Sequence, residues 1–562
     1  MHTKIIRIIL LSLLCIGSIS AQQAVSITVD LSKVKGKMEP VWAWFGCDEP
    51  NYAYMKDGKK LLTELGKLKP SVPVYFRAHN MLTTGDGSAS FKWGSTNAYT
   101  EDANGHPVYN WKIVDSIFDT YLARGIKPMA EVGFMPQALS VKPEPYRHNW
   151  KPGDPYGNIY TGWAYPPKDY QKWAALVFEW VKHSVERYGK EEVASWYWEL
   201  WNEPDLAYWR GTRQEFFKLY DYTADAIKRA LPTAKVGGVD GTGPLGRLSG
   251  YRLLEGFLQH VLRDTNYATG KIGAPLDFIT FHAKGAPTLV KGHVRMNLGT
   301  QLRAVNNGFE LVASFPELKH LPIIIGESDP EGCAACGMHT NPENAYRNGT
   351  MFSSYTAAAF ARKYELADHY KVNFIGAVSW AFEFENQPWF HGFRDLATNG
   401  VDKPVLNVFR MYGKMGGKRV EVIGNMPYNY LLVRDSSVRK EADINALASY
   451  EKKTASVMVW NYHDDDLPAP ASQVNISIKN IPARKATFTH YRIDDTHSNS
   501  YEVWKKMGSP QQPTEAQINV LEKAGQLALL EKPRVIKISN GIAEIQMELP
   551  RQGVSLVQIS WK

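Results

Sequence analysis

The sequence predicts an α/β chain: a (β/α)8 barrel of the TIM type over residues 40–410, followed by an all-β sandwich over residues 411–562. Three observations predict it. An apolar strand run followed by an amphipathic helix recurs about eight times before residue 410, the pattern of a parallel sheet covered by helices. Arg77, His79, Asn202, Glu203, His282, Glu327 and Trp380 all stand at the C-terminal ends of those strands. In a closed barrel such ends converge on one mouth, whereas in an open doubly wound sheet they spread along an edge. After residue 410 the texture changes to short strands separated by turns, as in a sandwich.

Taken in order, the chain opens with Lys4 and Arg7 ahead of the apolar run Ile8–Ile19 and the small residues Ser18, Ser20 and Ala21. This layout predicts a cleavable signal peptide over residues 1–21, too short for a membrane span, and hence a secreted or periplasmic protein. Alternation over 24–30 predicts a strand. The barrel has no use for it, so residues 22–39 are expected to pack on the sandwich. The barrel begins with the continuous apolar run 41–46, then helix 59–68, strand 72–76, helix 110–124 stopped by Gly125, and strand 127–132. Pro, Gly and Tyr crowd residues 140–166, which read as a long loop. Helix 168–188 turns Trp173, Leu176, Val177, Trp180, Val181 and Val185 inward and stops at Gly189. Strand 196–201, helix 213–230, strand 235–239, helix 251–263 and strand 276–281 follow. Helix 299–314, strand 322–325, helix 343–370 and strand 374–380 complete the set. Sandwich strands are predicted at 455–460, 474–478, 486–491, 536–539, 543–547 and 554–561, with a helical excursion over 508–532.

Composition narrows the ligand. With 44% hydrophobic and 22% charged residues the chain has ample core for a soluble protein. Its 17 Trp and 29 Tyr supply aromatic faces on which sugar rings stack. The net charge of +8 loses two with the signal peptide and shows no dense basic run, which argues against nucleic acid as a partner. No Gly-x-Ser-x-Gly or His-Glu-x-x-His occurs, which removes the usual serine-hydrolase and zincin readings. Gly241–Gly246 matches a dinucleotide fingerprint but contains Pro244 and follows the fifth strand, so it reads as a Gly-rich loop. Cys333-Ala-Ala-Cys336 with His339 hints at zinc, but three ligands fall short of a site, and a local disulfide or structural loop fits better, leaving Cys47 unpaired.

The chemistry centres on Trp196-Tyr-Trp-Glu-Leu-Trp-Asn-Glu-Pro204, a strand buried on both faces that stops at two polar groups. Glu203, held against Trp walls, is expected to have a raised pKa, as a general acid working near neutral pH requires. Glu327 follows Gly326 and the seventh strand, across the mouth from Glu203. Two such carboxyl groups are what cleaves a glycosidic bond: one protonates the leaving oxygen, the other attacks the anomeric carbon. Positive charge from Arg77 and hydrogen bonds from Ser328 and His282 are expected to keep Glu327 ionised. Asn202 is placed to bond a sugar 2-hydroxyl, and His79 and His282 to contact the ligand.

These residues resemble glycoside hydrolase family 39, the family of β-xylosidases and α-L-iduronidases. Gly133-Phe-Met-Pro-Gln-Ala-Leu139 resembles its third-strand motif, Trp201-Asn-Glu-Pro-Asp205 its acid/base motif, and Phe390-His-Gly-Phe393 with Lys403-Pro404 the segment after its eighth strand. The resemblance covers most of residues 40–410. It implies a barrel with a β-sandwich beside it, no cofactor, retention of configuration, Glu203 as acid/base and Glu327 as nucleophile. Leu276–Ala286 and Glu327-Ser-Asp-Pro330 look closer to the iduronidase branch, where a lysine matching Lys284 helps hold a sugar carboxylate. Trp380–Asn386 looks closer to the xylosidases but is shorter. The matched segments add Lys284, Trp380, Glu385 and His391 to the substrate contacts. The expected activity is a secreted retaining β-xylosidase-like glycosidase releasing a terminal sugar from an oligosaccharide or polysaccharide. A uronic-acid glycosidase and a carbohydrate-binding protein without catalysis are the alternatives.

Overall fold

The computed structural model describes residues 24–380 and 382–562; the expected signal peptide lies outside the described residues. An N-terminal strand, β1 (Val25–Lys37), precedes a closed parallel barrel. Its strands are β2 (Trp44–Cys47), β3 (Val74–Ala78), β4 (Ile126–Val132), β5 (Tyr197–Leu200), β6 (Lys235–Gly241), β7 (Phe278–Phe281) and β8 (Pro322–Ile325). The last position is shared by β9 (Asn373–Ala377) and β10 (Ser379–Trp380). Closure comes from β10 on β2, with Ser379 opposite Phe45 and Trp380 opposite Gly46. The seam needs glycine: a Cβ on Gly46 would lie 2.5 Å from the Trp380 ring and 2.7 Å from the Arg77 carbonyl oxygen.

Each strand position is followed by a helix: α1 (Lys56–Gly66), α2 (Lys112–Leu122), α3 (Tyr170–Tyr188), α4 (Arg213–Ala230), α5 (Ser249–Arg263), α6 (Leu298–Ala313), α7 (Thr350–Tyr370) and α8 (Pro404–Gly413). The expected helix 343–370 is broken: Pro342–Asn348 is a 3-10 turn, and α7 starts only after Gly349, whose backbone is extended. Strand side chains alternate between two cores. Trp198 faces outward onto Trp180 of α3, with ring centroids 5.2 Å apart. Tyr197 faces inward, at 5.2 Å from both Trp44 and Tyr75. With Met129, Phe278, Ile324 and Trp380 these rings plug the barrel, and the polar mouth is built on that plug.

The second unit is one hydrogen-bonded sheet. It holds β11 (Lys418–Gly424), β12 (Asp443–Glu451), β13 (Thr454–Tyr462), β14 (Ser472–Lys479), β15 (Lys485–Ile493), β16 (Ala528–Lys537), β17 (Ala543–Leu549) and β18 (Val554–Ser560). The order is β16-β15-β18-β13-β12-β11-β1-β14-β17. Val25, Ile27 and Val29 of β1 share one core with Val474, Ile476 and Ile545 and with Val457, Val459 and Phe488, so both limbs pack face to face as a sandwich. The sequence does not predict β11 or β12 and shortens β16, whose residues are mostly exposed and show no alternation. Of the expected helical excursion 508–532 only Glu515–Gly525 is helical, its end from Ala528 belonging to β16; a further short helix, Ser500–Lys506, lies ahead of it. Against the barrel, Arg362 of α7 donates to both Asp443 oxygens at 3.0 Å, and Trp460 Nε1 donates to the same carboxylate at 3.0 Å. Among the described residues no helix is long and apolar enough to cross a membrane.

Candidate active site

The C-terminal strand ends carry a layered cluster. Glu203 sits where the backbone leaves β5 in the left-handed region, with φ of 66° at Trp201 and 41° at Glu203. Such conformations cost about 1–3 kcal/mol per non-glycine residue. Here the Glu203 amide donates to the Asp240 carbonyl at 2.9 Å and fixes the bend. Glu327 follows Gly326, where any Cβ would collide with the Asp240 carboxylate. Glycine thus lets the loop after β8 close over the end of β6.

Lys284, from the loop after β7, joins the two acids: its Nζ is 2.5 Å from Glu327 Oε2 and 3.3 Å from Glu203 Oε1. His282 Nδ1 lies 2.9 Å from Glu203 Oε1, and its Nε2 lies 2.8 Å from Asp240 Oδ2. Beneath them Arg77, fully buried, is ion-paired with Asp240, Glu199 and, at 2.8 Å, Glu131, and stands 3.7 Å from Glu327. His79 lies 3.3 Å from Asp48 and 3.5 Å from Glu327, with its ring 4.4 Å from that of Trp380. Trp380 Nε1 donates to Asp48 Oδ1 at 2.8 Å, and Lys92 is ion-paired with Asp48.

Charge decides the protonation states. Burial pushes the Glu203 carboxyl up, but the Lys284 ammonium and the His282 hydrogen bond outweigh it and bring Glu203 down to about 2. The expectation of a raised pKa is corrected: Trp198 faces outward onto α3, and two cationic groups stand within 3.3 Å of the carboxylate. Glu327 is likewise held well below its ordinary value by Lys284, His282 and His79, against burial. His282 is pushed up to about 10 because the Asp240 and Glu327 charges overcome its burial. Burial raises the Glu131 carboxyl well above its ordinary value, against the charge of Arg77.

Glu203, Glu327, Lys284 and Trp380 line a cavity of about 370 Å³, together with Asp48, Lys92, Tyr156, Tyr160, Leu206, Tyr208, Gly332, Cys333, Ala334 and Arg394. Arg77, His79 and His282 are buried against the two carboxylates and lie outside the cavity lining. Asn202 accepts from Arg77 Nη2 at 3.3 Å through Oδ1, while its buried Nδ2 has no hydrogen-bond partner among the described residues. Two expected contacts are placed elsewhere. Glu385 accepts from the Asp57 amide at 3.0 Å and caps α1. The His391 ring packs on His339 and Phe393 at 4.7 and 4.9 Å, outside the cavity lining. Asp48, Lys92 and Arg394 were missed, although Asp48 directly follows β2, the signal that exposed the other acids.

Asp48, His79 and Glu327 bring ligating atoms within 4.8 Å of one another. Lys92 and Lys284 already balance the two carboxylates, so the trio reads as an internal ion network. Cys333 and Cys336 are joined in a disulfide, which leaves His339 without thiolates to share a metal.

The model of the glycosyl hydrolases family 39 matches residues 25–540. A β-xylosidase of Caldicellulosiruptor saccharolyticus is 27% identical, covering 96% of this chain and 99% of that protein. An α-L-iduronidase of Mus musculus is 24% identical over 69% of this chain and 62% of that protein. A solved monomeric β-xylosidase from Caulobacter crescentus superposes with a TM-score of 0.73 at 21% identity, covering 95% of this chain and 99% of that one, and shares the fold. With a barrel closed around two facing carboxylates and a family match across nearly its whole length, the chain belongs to glycosyl hydrolases family 39 and is a glycoside hydrolase.

Proposed function

We propose that the chain is a secreted retaining glycosidase that releases a terminal sugar, most like a β-xylosidase. The observation that carries the retaining course is the Lys284 bridge. Legs of 2.5 and 3.3 Å through one nitrogen place the nearest oxygens of Glu327 and Glu203 no more than about 5.8 Å apart, on the side of the about 5–5.5 Å of retaining enzymes and below the about 6.5–9.5 Å of inverting ones. In the first step Glu203 gives its proton to the glycosidic oxygen as a Glu327 oxygen bonds to the anomeric carbon and the leaving alcohol departs. In the second, Glu203 takes a proton from water, the water oxygen bonds to that carbon, and Glu327 is released as a carboxylate. The unpartnered Asn202 Nδ2 supports a hydrogen bond to the sugar 2-hydroxyl that strengthens as positive charge develops. The xyloside assignment rests on the β-xylosidase relative matched end to end. Secretion rests on the signal-like residues 1–21.

Hydrolysis of aryl glycosides followed by proton NMR tests the course. The first sugar formed should keep its anomeric configuration, and Glu327→Ala should lose turnover; an inverted first product, or an active Glu327→Ala variant, rejects the reading.

Lys284 and Arg394, both facing the cavity, favour a second reading in which the sugar carries a carboxylate. Lys284→Met should then reduce kcat/KM on uronides far more than on xylosides; equal losses leave the neutral sugar.

A further inference from the structure

The loop after β8 runs from Gly326 to Asn341 with no regular secondary structure, yet it forms one wall of the cavity through Gly332, Cys333 and Ala334. An irregular loop of that length has many accessible conformations, so something must hold this one. Two devices do so. The Cys333–Cys336 disulfide closes the turn on itself. Arg347, fully buried in the 3-10 turn Pro342–Asn348, fills the space behind it. Its Nη1 donates to the carbonyls of Cys336, Gly392 and Ala334 at 2.8, 3.1 and 3.3 Å, and its Nη2 donates to that of Cys333 at 3.1 Å and pairs with Glu331.

The same guanidinium thereby joins the loop after β8 to the loop after β10. The joint is doubled by the Arg394 amide, which donates to the Ala334 carbonyl at 2.9 Å, and by the Met338 amide, which donates to the His391 carbonyl at 2.9 Å. Glu331 completes it, 3.3 Å from Arg394 Nη1 and ion-paired with Arg347. Arg394 itself faces the cavity. The disulfide and Arg347 thus set both the wall and the position of a cationic group on it. Tyr156, Tyr160 and Tyr208 form lining of the same cavity from other loops.

We infer that the Cys333–Cys336 disulfide, seated on Arg347, determines specificity by fixing the wall of the sugar pocket that carries Cys333, Ala334 and Arg394. Neither sulfur takes part in bond cleavage. The pair holds the binding surface, so its loss weakens ground-state binding of the terminal sugar and leaves the Glu203/Glu327 chemistry in place. The inference rests on a glycoside occupying the space between Glu203 and Glu327, and not on which sugar it is.

The test compares the protein with its disulfide intact, the same protein reduced and alkylated, the double variant Cys333→Ala/Cys336→Ala, and Arg347→Met. Each is assayed on the aryl glycoside that the oxidised protein hydrolyses fastest, so a wrong sugar assignment does not count against the wall. The expected result is a KM raised about tenfold, the scale on which small changes in pocket fit act, with kcat within about twofold. Product inhibition by the released sugar should weaken in parallel. Thermal unfolding establishes that each form is folded, and mass spectrometry that the thiols are alkylated. Where a variant does not fold, the reduced and alkylated protein decides. A KM within about twofold of the oxidised value in a folded, alkylated protein overturns the inference, and so does a loss confined to kcat, which would place the loop in the chemical step.

Discussion

At the scale of single residues, Glu203 shows how neighbours override a local environment. Its flanking tryptophans predict a carboxyl that is hard to ionise, but His282 and Lys284, 79 and 81 residues along the chain, bring it down to about 2. The acid step needs a proton that Glu203 alone does not keep at neutral pH. His282, at about 10, keeps one on a nitrogen 2.9 Å from Glu203 Oε1, anchored from behind by Asp240. Proton transfer along that bond turns the pair into neutral imidazole and carboxylic acid, so the two titrate as one unit. In His282→Asn the basic limb of kcat/KM against pH should therefore move down by at least about one unit. The loss at pH 7 should approach about 10²-fold for alkyl glycosides, whose leaving alcohol needs the proton, and be small for nitrophenyl glycosides, whose leaving group does not. An unmoved basic limb would show that Glu203 keeps its own proton. The stability signs follow from the same shifts. Glu203, lowered from 4.5, contributes stability that is complete above pH 4.5 and is lost as pH falls toward about 2. His282, raised from 6.5, contributes stability complete below pH 6.5 and lost as pH rises through about 10. The two acids were legible because each ends an apolar strand run. The sign of the Glu203 shift was not, because it depends on side chains that only barrel closure brings together.

At the scale of elements, the barrel was legible in type and order, since its strands are buried on both faces and most of its helices bury one side, α7 and α8 being buried nearly all round. The boundaries drift by a few residues, as at β2, expected over 41–46 and found at Trp44–Cys47. What the pattern could not show is where the first and last strands meet. That seam depends on Gly46, against which the Trp380 ring packs and behind which Arg77 turns. Gly46→Ala inserts a methyl with no room to move, because the ring beside it belongs to the barrel plug and its other neighbour is backbone. It should destabilise the protein by about 1–3 kcal/mol, the cost of overpacking a core. It should also lower kcat/KM, since the displaced Trp380 lines the sugar cavity and bonds Asp48. Gly157→Ala is the matched control: nothing lies within 4 Å of its Cβ, and the change should stay within about 0.5 kcal/mol. Urea unfolding of the two variants measures the difference, and equal midpoints would mean that the seam yields.

At the scale of the whole molecule, the chain does not run through one unit and then the next. It starts in the C-terminal sheet with β1, leaves to build the whole barrel, and returns, so that β1 is an interior strand of a sheet whose other members begin at Lys418. β1 runs antiparallel to β11, as in Val29 opposite Val422, and parallel to β14, as in Val29 opposite Ile478. Among the described residues β1 is what joins β14 and β17 to the other strands by hydrogen bonds. The sequence placed residues 22–39 against the sandwich because the barrel has no use for them; what it did not show is that β1 pairs on both edges inside that sheet. A charge at Val29, which is fully buried, has no partner in the apolar cluster around it. Val29→Asp should therefore weaken the C-terminal sheet first, by upwards of about 3 kcal/mol. Limited proteolysis read by mass spectrometry should show cuts between β11 and β18, hundreds of residues from the substitution, before any within the barrel. The aryl-glycoside KM of the uncut protein should hold, because the residues lining the cavity all come from the barrel and its loops. Ser26→Asp, on the exposed face of the same strand, should leave the cleavage pattern unchanged. Early cuts in the barrel, or a Val29→Asp pattern matching that of the parent, would show that the sheet holds together without its N-terminal strand.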